Sequence, residues 1–227
     1  MADALTGAAR AARREAVGEL GAVLRDLVDA AVRTEVPADE LAAVAATARE
    51  LAARLRVTGR GLHEVASVDD PDAGERWYSP VYGPGNPVAP PLEVRDTPDG
   101  RATGRVIVGK PHEGPPGLVH GGVVATLLDH VLARAARAAG RGGLTATLTL
   151  RYRRPVRLGV PLLLAAEVGE TSGRRTTATA RLAAEDDPDT VLAEAEGLFV
   201  ALRPERAAGV FGSMDRPVGA WTAREAD

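Results

Sequence analysis

From residue 121 to 139 the apolar side chains Val123, Val124, Leu127, Leu128, Val131 and Leu132 recur at one-, three- and four-residue steps. They cover more than half of a helical circumference, so this helix is predicted to lie inside the fold, walled on most sides, until Gly140, Gly142 and Gly143 end it. Asp129 sits within the apolar run. Aspartate is almost never fully buried without a partner, because its carboxylate loses hydration. Either a neighbouring strand or subunit satisfies the charge, or the residue is held there for chemistry as a base or nucleophile.

The segment leading into the helix, "GPPGLVHGG" at 114 to 122, is rigid and nearly free of side chains, so another molecule can approach its backbone closely. The first N–H groups of a helix have no intrahelical partner and carry the positive end of the helix dipole. Gly121 and Gly122 are therefore candidate oxyanion-hole donors, which suits acyl transfer. His120 could serve as a base, a ligand or a hydrogen-bonding cap, and the orienting, hydrogen-bonding role is favoured. Eight residues separate Gly121 from Asp129, about 12 Å along a helix axis. One carbonyl cannot touch both. If both act on one substrate they come from two antiparallel copies of the helix related by a two-fold axis, which predicts an active site at a dimer interface.

Upstream, Val17, Leu20, Leu24, Leu27, Ala31 and Val32 mark one amphipathic helix over 8 to 33. Pro37 opens a second, in which Leu41, Val44, Ala48, Leu51 and Leu55 repeat the spacing until Gly59 and Gly61. This makes residues 1–60 a helical extension. Residues 61–91 form a connecting strap, dense in Pro and Gly from Asp70 on, whose Trp77, Tyr78 and Tyr82 predict docking on the body. Residues 92–203 read as one α+β domain. A hairpin turns at Asp99-Gly100, the central helix follows, and "LTATLTLRYRRPV" then alternates as a strand with one buried face. Further strands lie in "PLLLAAEVGET", "RRTTATARLAAE" and "TVLAEAEGLFVALR". The tail, 204–227, reads as irregular.

Composition narrows the function classes. With no cysteine among 227 residues, disulfides, thiol nucleophiles and thiolate metal sites are excluded. Four histidines without HExxH spacing give no metal site, and no cofactor is expected. GxSxG, P-loop and GxGxxG motifs are missing, which removes the usual serine hydrolase and nucleotide-binding readings. Residues 1–60 hold nine Arg against nine Asp plus Glu, so no basic arm for nucleic acid exists there. No apolar run is long enough for a membrane span or the core of a secretory signal, and the cytoplasm is the default expectation.

Taken together, "NPVAPPL" at 86 to 92, "EGPPGLVHGG" at 113 to 122, Asp129, and "LTATLTLRYRRPV" at 144 to 156 resemble, in the same order, the hotdog-fold acyl-CoA thioesterases of the PaaI-like superfamily. The resemblance covers about residues 80 to 202. It implies a long helix wrapped by a curved antiparallel sheet, dimers often paired into tetramers, and hydrolysis of an acyl-CoA thioester. It also implies roles: Asp129 as catalytic acid, either nucleophile or base; Gly121 as the N–H donor to the thioester carbonyl; His120 as the adjacent motif histidine. Thr145 matches a strand hydroxyl that positions water, although strict alternation sets it on the polar face with Thr147 and Thr149. Arg174 and Arg175 match basic residues near CoA phosphates, with solvated strand arginines as the competing reading. Some relatives carry Asn or Gln where Gly114 stands, which leaves that contact unassigned. Two other functions fit the same residues: a hotdog dehydratase or hydratase acting on acyl thioesters, and a non-catalytic acyl-CoA-binding or assembly protein.

Overall fold

The computed structural model describes residues 7–70 and 73–212. The two amphipathic segments form α1 (Gly7–Arg33) and α2 (Ala38–Arg56). After the strap come β1 (Glu93–Thr97) and β2 (Arg101–Ile107), joined at Gly100, whose φ of 81° belongs to the left-handed region that a tight hairpin turn needs. The central helix is α3 (Gly121–Ala138), and β3 (Leu144–Tyr152), β4 (Pro161–Ser172), β5 (Arg175–Ala184) and β6 (Asp187–Val200) complete the sheet. Every pairing is antiparallel, in the order β1-β2-β4-β5-β6-β3, and α3 touches all six strands. A long helix held in one antiparallel sheet is the α+β hotdog arrangement.

Side-chain volume explains how the sheet closes on the helix. On its inner face Ala102, Ala166, Ala180 and Ala195 lie in one cross-strand row, and all four are buried. Small residues there let the strands approach α3, whose Leu127, Leu128, Val131 and Leu132 have no exposed surface at all. Leu162, Leu164, Leu182 and Phe199 fill the remaining space beside them.

Three expectations need correction. First, β3 is an edge strand: Leu148 and Leu150 are half-buried and its other residues are exposed, so it lacks a fully buried face in the single chain. Second, the tail begins with α4 (Pro204–Phe211), because Pro204 in the first helical turn supplies a helix-ready φ and loses no hydrogen bond there; residues 213–227 lie outside the described residues. Third, the apolar stripe of α1 docks only in part: Val17 and Leu24 are half-buried, and Val17 packs against Gly85 of the strap. Leu20, Leu27 and Val32 are exposed, whereas Gly21 is buried against the strap, where a Cβ would stand 2.1 Å from the Pro84 carbonyl oxygen. Glycine wins this contact because backbone meets backbone.

The strap docks as its aromatics predict. Arg14 lies 5.1 Å from the centre of the Trp77 ring, donates to the Val68 carbonyl and pairs with Glu75. Tyr82 stacks on His130 of α3 with ring centres 4.6 Å apart. Burial pushes the His130 imidazolium down to about 4, helped by the Arg134 and Arg137 guanidinium groups and opposed by Asp96. An unfolded histidine titrates near 6.5, so between these limits the unfolded chain binds more protons than the folded one. Stability is therefore complete above about pH 6.5 and falls toward pH 4, by at most about 1.4 kcal/mol per pH unit from this residue. The expected result is a denaturant midpoint that declines over that window in the wild type and declines less in His130→Phe, which keeps the ring stack.

Candidate active site

The glycine-rich loop reaches α3 through a tight backbone frame. Glu113 and Val119 form an isolated bridge, the Val119 N–H donates to the Val156 carbonyl, and the His120 N–H donates to the His112 carbonyl. Gly114 packs so close that a Cβ on it would lie 2.8 Å from the His120 Cα. No Asn or Gln side chain fits at 114 on this backbone. Steric contact thus accounts for the residue that departs from the family's pattern.

His120 is the N-cap of α3, and its Nδ1 accepts the Gly122 N–H at 2.9 Å. Nδ1 is an acceptor here, so the neutral ring carries its proton on Nε2. The histidine is thereby the hydrogen-bonding cap favoured from sequence, and Gly122 has already spent its N–H on it. Gly121 keeps the first helical N–H, which helix geometry leaves without an intrahelical partner. Its carbonyl accepts a 2.9 Å hydrogen bond from the Tyr152 hydroxyl, across from the edge strand. The sequence motifs do not single out Tyr152, although its hydroxyl meets Gly121. Its alternation with Leu148 and Leu150 on the helix-facing side carries the signal that could have found it.

Asp129 is half-buried, not sealed in the core. It lies on the side of α3 beside the sheet edge, and the Thr145 hydroxyl donates to its Oδ1 at 2.9 Å. Strict alternation would turn Thr145 away. The register shows why it does not: Thr145 pairs with Phe199 and Thr147 with Leu198, so Ala146 is the extra residue of a β-bulge. The bulge inverts the alternation on one side of itself. Thr145 consequently shares the helix-facing side with Leu148 and Leu150, while Thr147 and Thr149 remain outside.

Other sequence-selected groups lie apart from this pair. Arg174 donates to the Ala201 carbonyl at 2.7 Å, and Arg175 is exposed. Both stand at the end of the sheet where β3 begins, since Arg175 pairs with Val200 and Val200 with Leu144. Asn86 supports the strap, donating to the Tyr78 carbonyl. Glu113 is committed to Lys110 at 2.6 Å and to the Gly117 N–H at 2.7 Å, and these contacts hold its carboxyl below the usual range. His112, the residue before Glu113, lies instead 3.2 Å from the Val88 carbonyl through Nε2, so these two neighbours do not pair with each other. Among the described residues no cluster of His, Asp or Glu could hold a metal ion, and no helix is long and apolar enough to cross a membrane.

Comparison with known proteins gives three findings. A family model described as Thioesterase superfamily matches residues 116–191, which include Gly121, Asp129 and Thr145. Acyl-coenzyme A thioesterase THEM4 of Xenopus laevis is 35% identical over 92 residues, 40% of this chain and 41% of that protein; acyl-coenzyme A thioesterase THEM5 of Homo sapiens is 29% identical over 93 residues, 41% and 37%. The chain thus spans about two fifths of the length of the curated relatives it matches. A crystal structure of a thioesterase superfamily protein is similar with a TM-score of 0.72 and 37% identity, over 81% of this chain and 94% of that one. Residues 61–227 are 167 of 227, about 74% of the chain, so an 81% overlap reaches into the helical extension.

Proposed function

This chain belongs to the thioesterase superfamily, and we propose that it hydrolyses acyl-CoA thioesters to free acid and CoA at a site shared by two copies. The observation that carries the reading is the Thr145–Asp129 hydrogen bond on the side of α3 that the sheet leaves open. A half-buried carboxylate held by a hydroxyl through one oxygen is placed to take a proton from water.

The edge position of β3 supports the second copy. It pairs with β6 on one side, and its other side presents an unpaired row of backbone N–H and C=O groups. Antiparallel pairing of two β3 strands about a two-fold at Leu148, the midpoint of the strand, sets the Thr145 end of one copy beside the Tyr152 end of the other. Asp129 of one copy then faces the α3 N-terminus of its mate. Water attacks the thioester carbonyl carbon and gives its proton to Asp129. The oxyanion is held by the Gly121 N–H and the dipole of α3. Collapse breaks the C–S bond, and the CoA thiolate takes the proton back from Asp129. Arg174 and Arg175, near the start of β3, are the cations we assign to the CoA phosphates.

A series of acyl-CoA substrates, aromatic and of graded chain length, tests this by release of free thiol. Turnover of at least one is expected. An inert protein that binds acyl-CoA would be a sensor or assembly module, and enoyl product from a 3-hydroxyacyl-CoA without free thiol would mark a dehydratase. The engagement of Glu113 with Lys110 and Gly117 speaks against the latter.

A further inference from the structure

α2 is folded but almost unpartnered. None of its 19 residues is buried, and Leu41, Val44, Leu51 and Leu55 are 46%, 44%, 44% and 56% exposed along one stripe with Ala48. Val44, Ala48 and Leu51 of the stripe line a groove of about 250 Å³ together with Leu27 of α1, Glu40, Ala43 and Thr47. A lone amphipathic helix gains most of its stability by burying such a face, and contiguous exposed apolar surface marks an interaction site.

We propose that α2 pairs antiparallel with α2 of a second copy of this chain, about a two-fold axis passing at Ala48. Three properties of the sequence select this occupant. Symmetry about position 48 sets Leu41 against Leu55, so the two largest outer side chains of the stripe meet. It sets Val44 against Ala52 and Leu51 against Ala45, large against small, which lets two helices interlock at close range. It also sets Glu40 against Arg56, and the wider charge distribution agrees. Near the α1–α2 turn Asp26, Asp29, Glu35, Asp39 and Glu40 stand against Arg25 and Arg33, whereas Arg49, Arg54 and Arg56 outnumber Glu50 at the far end of α2. A hairpin acidic at one end and basic at the other complements itself only head to tail. Parallel pairing would superpose like charges. This contact is separate from the β3 edge.

The chain contains no cysteine, which makes the test direct. A residue on a two-fold axis meets its own copy, so Ala48→Cys should form a disulfide-linked dimer under mild oxidation, seen on a non-reducing gel. Ala46→Cys, exposed on another side of α2, should remain mostly reduced. Adding Leu51→Glu to Ala48→Cys should reduce cross-linking at least tenfold. Ala48→Cys that stays monomeric on the gel, or Ala46→Cys that links equally well, overturns the proposal; the first result is also expected if α2 serves a lipid surface or a different protein. The readout requires no catalysis, so a failed hydrolysis assay and a failed cross-link remain separate outcomes.

Discussion

Asp129→Asn is expected to lower kcat/KM for thioester hydrolysis by about a thousandfold, within the range of roughly 10²–10⁴ seen when a general base is removed. Asparagine has the same shape, and its amide oxygen can still accept the Thr145 hydroxyl that now sits 2.9 Å from Asp129 Oδ1. The loss should therefore fall on kcat, with KM and thermal stability nearly unchanged, because the amide cannot take a proton from water. Unchanged thiol release in the variant would remove Asp129 from the mechanism.

The second large effect concerns Gly121 and the sharing of the site. Gly121→Pro removes the N–H and puts the ring Cδ in its place, with a Cβ in contact with the Tyr152 hydroxyl at 3.4 Å; the backbone accepts it, since proline is tolerated at the first helical position and His120 before it already has the extended φ of −60° and ψ of 134°. Loss of an oxyanion donor should cost about 10²–10³ in kcat. Mixing this variant with Asp129→Asn by joint refolding gives the sharper result. If each site takes Asp129 from one copy and Gly121 from the other, half of the dimers are mixed and each of these holds one intact site. About a quarter of wild-type activity should return, as two-fold symmetry dictates. Should the mixture show only the sum of two residual activities, the site lies within one subunit.

Much of this site is legible along the chain because its parts are local. The apolar run of α3, the glycines before it and the spacing of Asp129 from Gly121 depend only on helical periodicity and backbone geometry. What stays hidden depends on register. Thr145 reads as outward-facing by alternation, and only the extra residue at Ala146, seen in its pairing with β6, turns it onto Asp129. A bulge leaves no composition signal in "LTATLTL", where threonine occupies every second position on both sides of it. The use of the Gly122 N–H by His120 is likewise a matter of side-chain placement. So is the close approach of α1 to the strap at Gly21, since a contact between α1 and Pro84 joins segments more than sixty residues apart.

The sequence by itself determined the helices and strands up to residue 203, the helix with a carboxylate in its apolar run, and the impossibility of Gly121 and Asp129 of one helix sharing a carbonyl, because periodicity and rise per residue are properties of the backbone alone. Only the tertiary structure decided that β3 is an edge, that Asp129 is half-buried next to it, and that Thr145 turns toward Asp129 in the middle of α3 and Tyr152 toward Gly121 at its N-terminus. Those outcomes depend on which strands pair and in what register, and that is settled by packing between distant residues.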